Sequence, residues 1–193
     1  AKDLCHTWGA PLADDAPLTR TFERPDFITF VLNAMRFTVN TEIAISNNGA
    51  FLNSDNFPLT DNLTYADVYT ILPFDNPLVR VMIKGKHLKP LADKIGRGLV
   101  AEGLTKTGTT AQVNGRSIEE EGYYSVVTNQ FVAEGGDGLL DPDDIHRSRI
   151  YEPDWSQETP SVSDVVVRFV KAGLFAERGP VQDYLSPTGN FPD

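Results

Sequence analysis

The chain has 193 residues, 40% of them hydrophobic, a length and composition that favour one soluble domain with a sizeable core over two very small ones. Its 17 Lys and Arg against 27 Asp and Glu leave a net charge of -10, which argues against a nucleic-acid polymer as partner, because phosphate-backbone contacts need clustered cations, while a small anionic ligand needs only a local cluster. No apolar run is long enough to span a bilayer, and no signal peptide is read, although a mature chain would have lost one.

In chain order, residues 1–18 read as an N-terminal extension or linker, 19–175 as the domain and 176–193 as a tail. The segment from Ala1 to about Glu23 mixes Pro11, Pro17 and acidic residues without periodicity and is expected to be extended. Its Cys5 is the only cysteine, so it either pairs outside this sequence or stays a reduced thiol, and it leaves the compartment unread. From Asp26 to Thr38 the residues Phe27, Ile28, Val31, Leu32 and Met35 recur at helical spacing, with Pro25 where a helix can begin. Thr41 to Ser46 predicts a strand running into the Asn47-Asn48-Gly49 turn. Thr64, three residues before Asp67, predicts a capping box for a short helix over Tyr65 to Leu72; Asn62-Leu63-Thr64 also fits a glycosylation acceptor. Pro73 stops that helix, and Leu78 to Ile83 follows as a strand.

Lys86 to about Leu104 has the spacing of a helix, with Pro90 best placed near its first turn. Asn114-Gly115 between Ala111–Val113 and Ser117–Ile118 is the strongest hairpin signal in the chain. Tyr123 to Thr128 predicts a strand buried on both faces. Residues 141–159 are polar and proline-punctuated and read as loop. A last helix is expected from Ser163 to Phe175, with Val166, Phe169, Val170 and Leu174 on one face, and Ser186 to Asp193 as surface coil.

The most informative stretch is Val126-Val127-Thr128-Asn129-Gln130-Phe131-Val132-Ala133-Glu134-Gly135-Gly136-Asp137-Gly138-Leu139. Strand formers bring the backbone to a rim, and the three glycines let it fold back with positive φ, leaving Phe131 and Asp137 facing a shared space. A flat apolar face beside a carboxylate acceptor suits a ligand with a ring and hydroxyls, such as a nucleoside. The plain alternative makes Phe131 a core residue and 135–138 an ordinary loop.

Other chemistries find little footing. Gly96-Arg97-Gly98-Leu99-Val100-Ala101 matches a loose dinucleotide pattern but falls inside the expected helix and not after a strand. The stretch from Gly135 to Asp141 has Leu140 where a calcium-binding repeat needs Asp. Asp141, Asp143 and Asp144 are either hard-cation ligands or a solvated acidic loop. His6, His87 and His146 are far apart, and there is no nucleophile elbow or paired Cys and His, so no catalytic or metal-ligating residue is assigned within this chain.

The stretch Asn62 to Val79, containing Pro73-Phe74-Asp75-Asn76, together with the Asn129 to Gly138 turn and the hairpin leading into it, resembles the C-terminal domain of the 5′-nucleotidase family, which includes UDP-sugar hydrolases and 2′,3′-cyclic phosphodiesterases. The resemblance implies a mixed α/β fold of layered helices and a mixed sheet over roughly Thr19 to Phe175. It implies that Phe74 and Phe131 stack a base between them, that Asn76 and Asn47 bond the base or sugar, and that Asp137 accepts from ribose hydroxyls. It also implies that two divalent ions of the zinc or manganese kind, and the phosphoester hydrolysis itself, belong to an N-terminal metallophosphoesterase domain absent from this sequence. No cofactor is expected in this chain, and the setting is expected to be periplasmic or extracellular.

Departures from the family pattern are visible. Where the family commonly has Asn-x-Gly-Gly-Ile-Arg, this chain has Asn47-Asn48-Gly49-Ala50-Phe51-Leu52, so a planar cation suited to phosphate is replaced by an apolar branch. The usual opening of the first helix is altered to Arg24-Pro25-Asp26-Phe27-Ile28-Thr29. Arg20 or Arg24 either supplies the lost charge or is a solvated surface arginine. Two readings therefore stand: the substrate-selecting domain of a nucleotide hydrolase, or a diverged, non-catalytic binding or interaction module of the same fold.

Overall fold

The computed structural model describes residues 21–52, 55, 57–59, 63–148 and 159–171. The expectations for residues 1–18, Cys5, Arg20, Asn62, the end of the last helix beyond 171 and the tail 176–193 lie outside them. At the start of the described chain, Phe22 is extended, as expected, and already part of the core: it is buried, and its backbone exchanges two 2.9 Å hydrogen bonds with Leu59 in an antiparallel bridge.

Helix α1, Arg24–Val39, begins with Pro25 in its first turn and a reciprocal capping box between Glu23 and Asp26. Strand β1, Ile43–Asn47, runs into a single 3₁₀ turn at Asn48–Ala50. Helix α2, Tyr65–Ile71, carries the expected capping box. Thr64 Oγ1 accepts from the Asp67 amide at 3.1 Å, and Asp67 Oδ2 accepts from the Thr64 amide at 2.9 Å. Strand β2 is Leu78–Lys84.

The long helix expected over 86–104 is not formed. Helix α3 covers only Gly85–Ala92, followed by strands β3, Leu99–Glu102, and β4, Leu104–Thr107. Pro90 sits in the second turn, where the Lys86 carbonyl loses its donor. Gly96 (φ 77°) and Gly98 (φ 106°) turn the chain through the left-handed region, so the Gly96-Arg97-Gly98 motif is a turn between helix and strand and not part of a helix. Sheet pairing outweighs helical spacing there, as β3 aligns antiparallel with β1 from Ala44↔Glu102 to Asn47↔Leu99.

Strands β4, β5 (Thr110–Val113) and β6 (Arg116–Ser117) form a small antiparallel sheet. Asn114 (φ 48°) and Gly115 (φ 77°) make the two-residue turn between β5 and β6, with both φ values positive as a type I′ hairpin requires. Strand β7 is Tyr123–Asn129, and helix α4, Gln130–Ala133, follows without a break. Phe131 is therefore helical and not part of a continuing strand. Part of the expected 141–159 loop is strand β8, Ile145–Ser148, which pairs antiparallel with β2. Its buried Ile145, opposite Ile83, is the apolar anchor hidden behind an acidic lead-in. Helix α5 is Val162–Lys171.

The main sheet has the order β3-β1-β7-β2-β8, with β1 and β7 parallel and every other neighbour antiparallel. Alternation along its strands feeds two cores. Ala44, Leu78 and Val127 face a cluster with α1, α2 and α5, including Phe27, Leu32, Ile71 and Val166. Ile43, Ile45, Val81, Ile83 and Val126 face a second cluster with α3 and the small sheet, including Leu88, Leu91, Leu104 and Val113. Strand β7 lies between the two, so the expectation of a strand buried on both faces holds over Ser125–Asn129. The result is a mixed α/β domain of helices, sheet, and a helix with a second small sheet. The chain ends of β1 and β7 reach the same edge because these strands run parallel.

Candidate functional site

At that edge the polar side chains are linked in series. Asn129, the last residue of β7, is fully buried; its Oδ1 accepts from the Val132 amide at 2.9 Å and so caps α4. Its Nδ2 donates to Ser46 Oγ at 3.0 Å and to Asn47 Oδ1 at 3.3 Å. Asn47, the buried last residue of β1, in turn donates from Nδ2 to Asp137 Oδ2 at 2.9 Å. Two strand ends and a loop are thereby locked together, and the exposed Asp137 is held by a single oxygen. Its Oδ1 has no hydrogen-bond partner among the described residues. Asn129 carries no site role in the sequence reading, although an Asn standing just before an apolar helical run, here Phe131-Val132-Ala133, is a capping signal.

The loop that carries Asp137 folds back as expected, but by a different division of labour. Gly135 (φ 90°) and Gly138 (φ 62°) take the left-handed conformation, and so does Asp137 itself (φ 57°), while Gly136 does not. The need for glycine at 136 is one of space: a Cβ there would overlap three carbons of the Phe131 ring. The ring thus lies against the Gly136 backbone with 43% of the residue still exposed, which removes the reading of Phe131 as a core residue.

Phe74 stands in the segment between α2 and β2 and is 48% exposed. That segment is tied to the Phe131 helix, because the Pro77 carbonyl accepts from the Gln130 amide at 2.9 Å. Asn76 is half-buried, and its carbonyl accepts from Val162 N at 3.2 Å. Leu52 is 42% exposed, and its amide donates to the Ile71 carbonyl at 2.9 Å, next to the turn that leads to Phe74. Phe131, Phe74 and Leu52 are three of the four large apolar residues left exposed among the described residues, the fourth being Tyr123 at the far end of β7.

Arg24 is not a solvated surface arginine. Its guanidinium donates to Asn48 Oδ1 from both Nη1 and Nη2 at 3.2 Å, to the Asn48 carbonyl at 3.2 Å and to the Phe51 carbonyl at 2.6 Å. It clamps the 48–51 turn shut from the start of α1. The acidic run after the glycine loop is likewise committed: Asp141 Oδ1 caps Asp143 N at 3.0 Å, and Asp144 pairs with His87 Nδ1 at 2.8 Å. Behind the loop lies a cleft of about 470 Å³ lined by His87, Leu91, Lys94, Leu139 and Asp144 among others. Among the described residues no group of three or more His, Cys, Asp or Glu is arranged to hold a metal ion.

The family whose sequence model matches is described as 5′-nucleotidase, C-terminal domain, over residues 13–97. Those residues include Asn47, Phe74 and Asn76, whereas Phe131 and Asp137 lie beyond them. No curated protein matches the chain. Among solved structures, a 5′-nucleotidase precursor from Thermus thermophilus shares 21% identity over 92% of this chain and 39% of its own, with a TM-score of 0.66. The NAD nucleotidase of Haemophilus influenzae shares 19% over 79% of this chain and 30% of its own, with a TM-score of 0.57. The sulfate thiohydrolase SoxB of Thermus thermophilus shares 13% over 92% and 35%, with a TM-score of 0.61. The chain spans less than two fifths of the length of each. The resemblance read from the sequence is borne out, and the fold is that of the 5′-nucleotidase C-terminal domain.

Proposed function

We propose, on the premise that this chain is a C-terminal domain of the 5′-nucleotidase type, that it recognises a nucleoside or nucleotide. In this reading it sets substrate specificity for an N-terminal dimetal phosphoesterase domain in the whole protein, which would act as a phosphoric ester hydrolase in the periplasm or outside the cell. Phe74 and Phe131 stack the base, Asn76 and Asn47 bond base or sugar, and Asp137 accepts from the ribose hydroxyls. The observation that carries this reading is the Asn129–Asn47–Asp137 series beside an exposed Phe131 backed by Gly136. It puts a fixed acceptor next to a fixed aromatic face, the pair that a nucleoside uses. The nucleotidases among the structures of like fold support the same class of ligand.

The test is calorimetric titration of the chain with adenosine, AMP and UDP-glucose, using Phe131→Ala and the Phe74→Ala, Phe131→Ala double variant as controls. Stacking on an aromatic is worth roughly 1 to 3 kcal/mol per base, so Phe131→Ala is expected to weaken binding by about tenfold or more. Unchanged affinity with the fold intact would remove the clamp. A diverged binding module is favoured by one feature, Leu52 in the position where the family commonly has arginine. It predicts no binding of any of the three ligands.

A further inference from the structure

We infer that Arg97 is the residue that contacts the phosphate when a nucleoside monophosphate occupies this site. The inference rests on the nucleoside reading above and names the group that takes over the charge missing at Leu52. Arg97 lies at the tip of the Gly96-Arg97-Gly98 turn, which is tied down on both sides to the edge that carries Asn47 and Asp137. On one side the Gly98 carbonyl accepts from the Asn48 amide at 2.7 Å, and Leu99 pairs with Asn47. On the other, Lys94 at the base of the turn reaches the carbonyls of Gly138 and Leu139 at 2.7 and 3.1 Å. The turn therefore bridges the residue after Asn47 and the residue after Asp137, the two groups joined by the 2.9 Å bond at the centre of the site.

The neighbouring cations are committed to backbone carbonyls, Arg24 to Asn48 and Phe51 and Lys94 to Gly138 and Leu139. The side chain of Arg97 is exposed and makes no hydrogen bond or ion pair among the described residues. Positive φ at both flanking glycines, with open space around each, holds the backbone in a tight turn that presents the residue between them. A free guanidinium on such a turn, in a chain of net charge -10, is the group that an anion arriving at this edge would meet. Its planar fork matches phosphate oxygens bidentately, which Leu52 cannot do.

The experiment compares AMP with adenosine, by titration calorimetry at low and at moderate salt, on the chain and on Arg97→Ala and Arg97→Lys. AMP is expected to bind about tenfold more weakly to Arg97→Ala, adenosine equally well to both, and Arg97→Lys to recover part of the loss. The salt dependence of AMP binding should weaken in Arg97→Ala. If adenosine binds in a Phe131-dependent way and Arg97→Ala leaves AMP affinity unchanged, this inference falls and the nucleoside reading stands. Equal losses for AMP and adenosine overturn it as well, since Arg97 would then only shape the turn. If the unaltered chain binds neither ligand, both readings fall together.

Discussion

At the scale of single residues, Asn129 does more than any side chain named from the motif. It is buried with every polar atom engaged, holding Ser46 and Asn47 on one strand and the first turn of α4 on its own. Asn129→Ala removes a helix cap and leaves the partners of a buried amide unsatisfied, and should lower the unfolding free energy by about 2 to 4 kcal/mol. Urea denaturation measures this, and a loss below 1 kcal/mol would mean that the network relaxes around the gap. Part of the site was legible in the sequence. Phe131 and Asp137 could be named from the glycine-rich stretch that carries them, and Asn47 only through the family resemblance. The role of Arg24 was not, because nothing local in Glu23-Arg24-Pro25 tells that its guanidinium reaches a turn twenty-four residues on.

At the scale of elements, what the sequence disclosed followed the range of the deciding interaction. The Thr64–Asp67 capping box, the Asn114-Gly115 hairpin and the first helix are set by contacts within a few residues and could be placed, whereas the Glu23–Asp26 box was not read although it is equally local. The stretch after Ala92 could not, because Leu99, Val100 and Ala101 fit helical and strand spacing alike. The outcome there is decided by pairing with β1, more than fifty residues away. Strand β8 was hidden in the same way by its acidic surroundings. The loop 135–138 shows an element whose composition is set by a neighbour's shape. A methyl group at 136 would have to push the Phe131 ring off the backbone. Gly136→Ala, at a position without positive φ, should therefore cost only about 1 kcal/mol of stability while reducing nucleoside affinity nearly as much as Phe131→Ala. Parallel denaturation and titration separate the two effects; full affinity in this variant would mean that the position of the ring is unimportant.

At the scale of the molecule, the two cores are joined near the end of α1 by charged groups taken partly out of water. Arg36 is buried and donates to Asn114 Oδ1 at 3.0 Å, while Thr29 donates to Glu102 Oε1 at 3.0 Å. Burial lowers the Arg36 value from its ordinary one and raises that of Glu102 above 4.5, the Thr29 bond and the Arg36 charge only partly opposing it. A carboxyl whose folded value lies above its unfolded one stabilises the fold fully below the unfolded value, and that contribution is lost as pH rises through the folded value. Glu102→Gln keeps an acceptor for Thr29 without the titration. Its unfolding free energy relative to the unaltered chain should thus improve as pH rises from about 4.5 into the range above it. A pH-independent difference between the two would contradict the burial of Glu102 as a cost to the fold.

The packing of Phe131 on Gly136 has one more consequence. A ring whose one face already rests on backbone has given up much of its rotamer freedom when the chain folds, not when a partner docks. Phe74, exposed on its segment before β2, has no such support described for it. In the proposed clamp, a flat ligand between them would meet one fixed jaw and one adaptable jaw. The entropy lost on docking then falls mainly on Phe74, which leaves the surface able to accept rings of different width without moving its anchor.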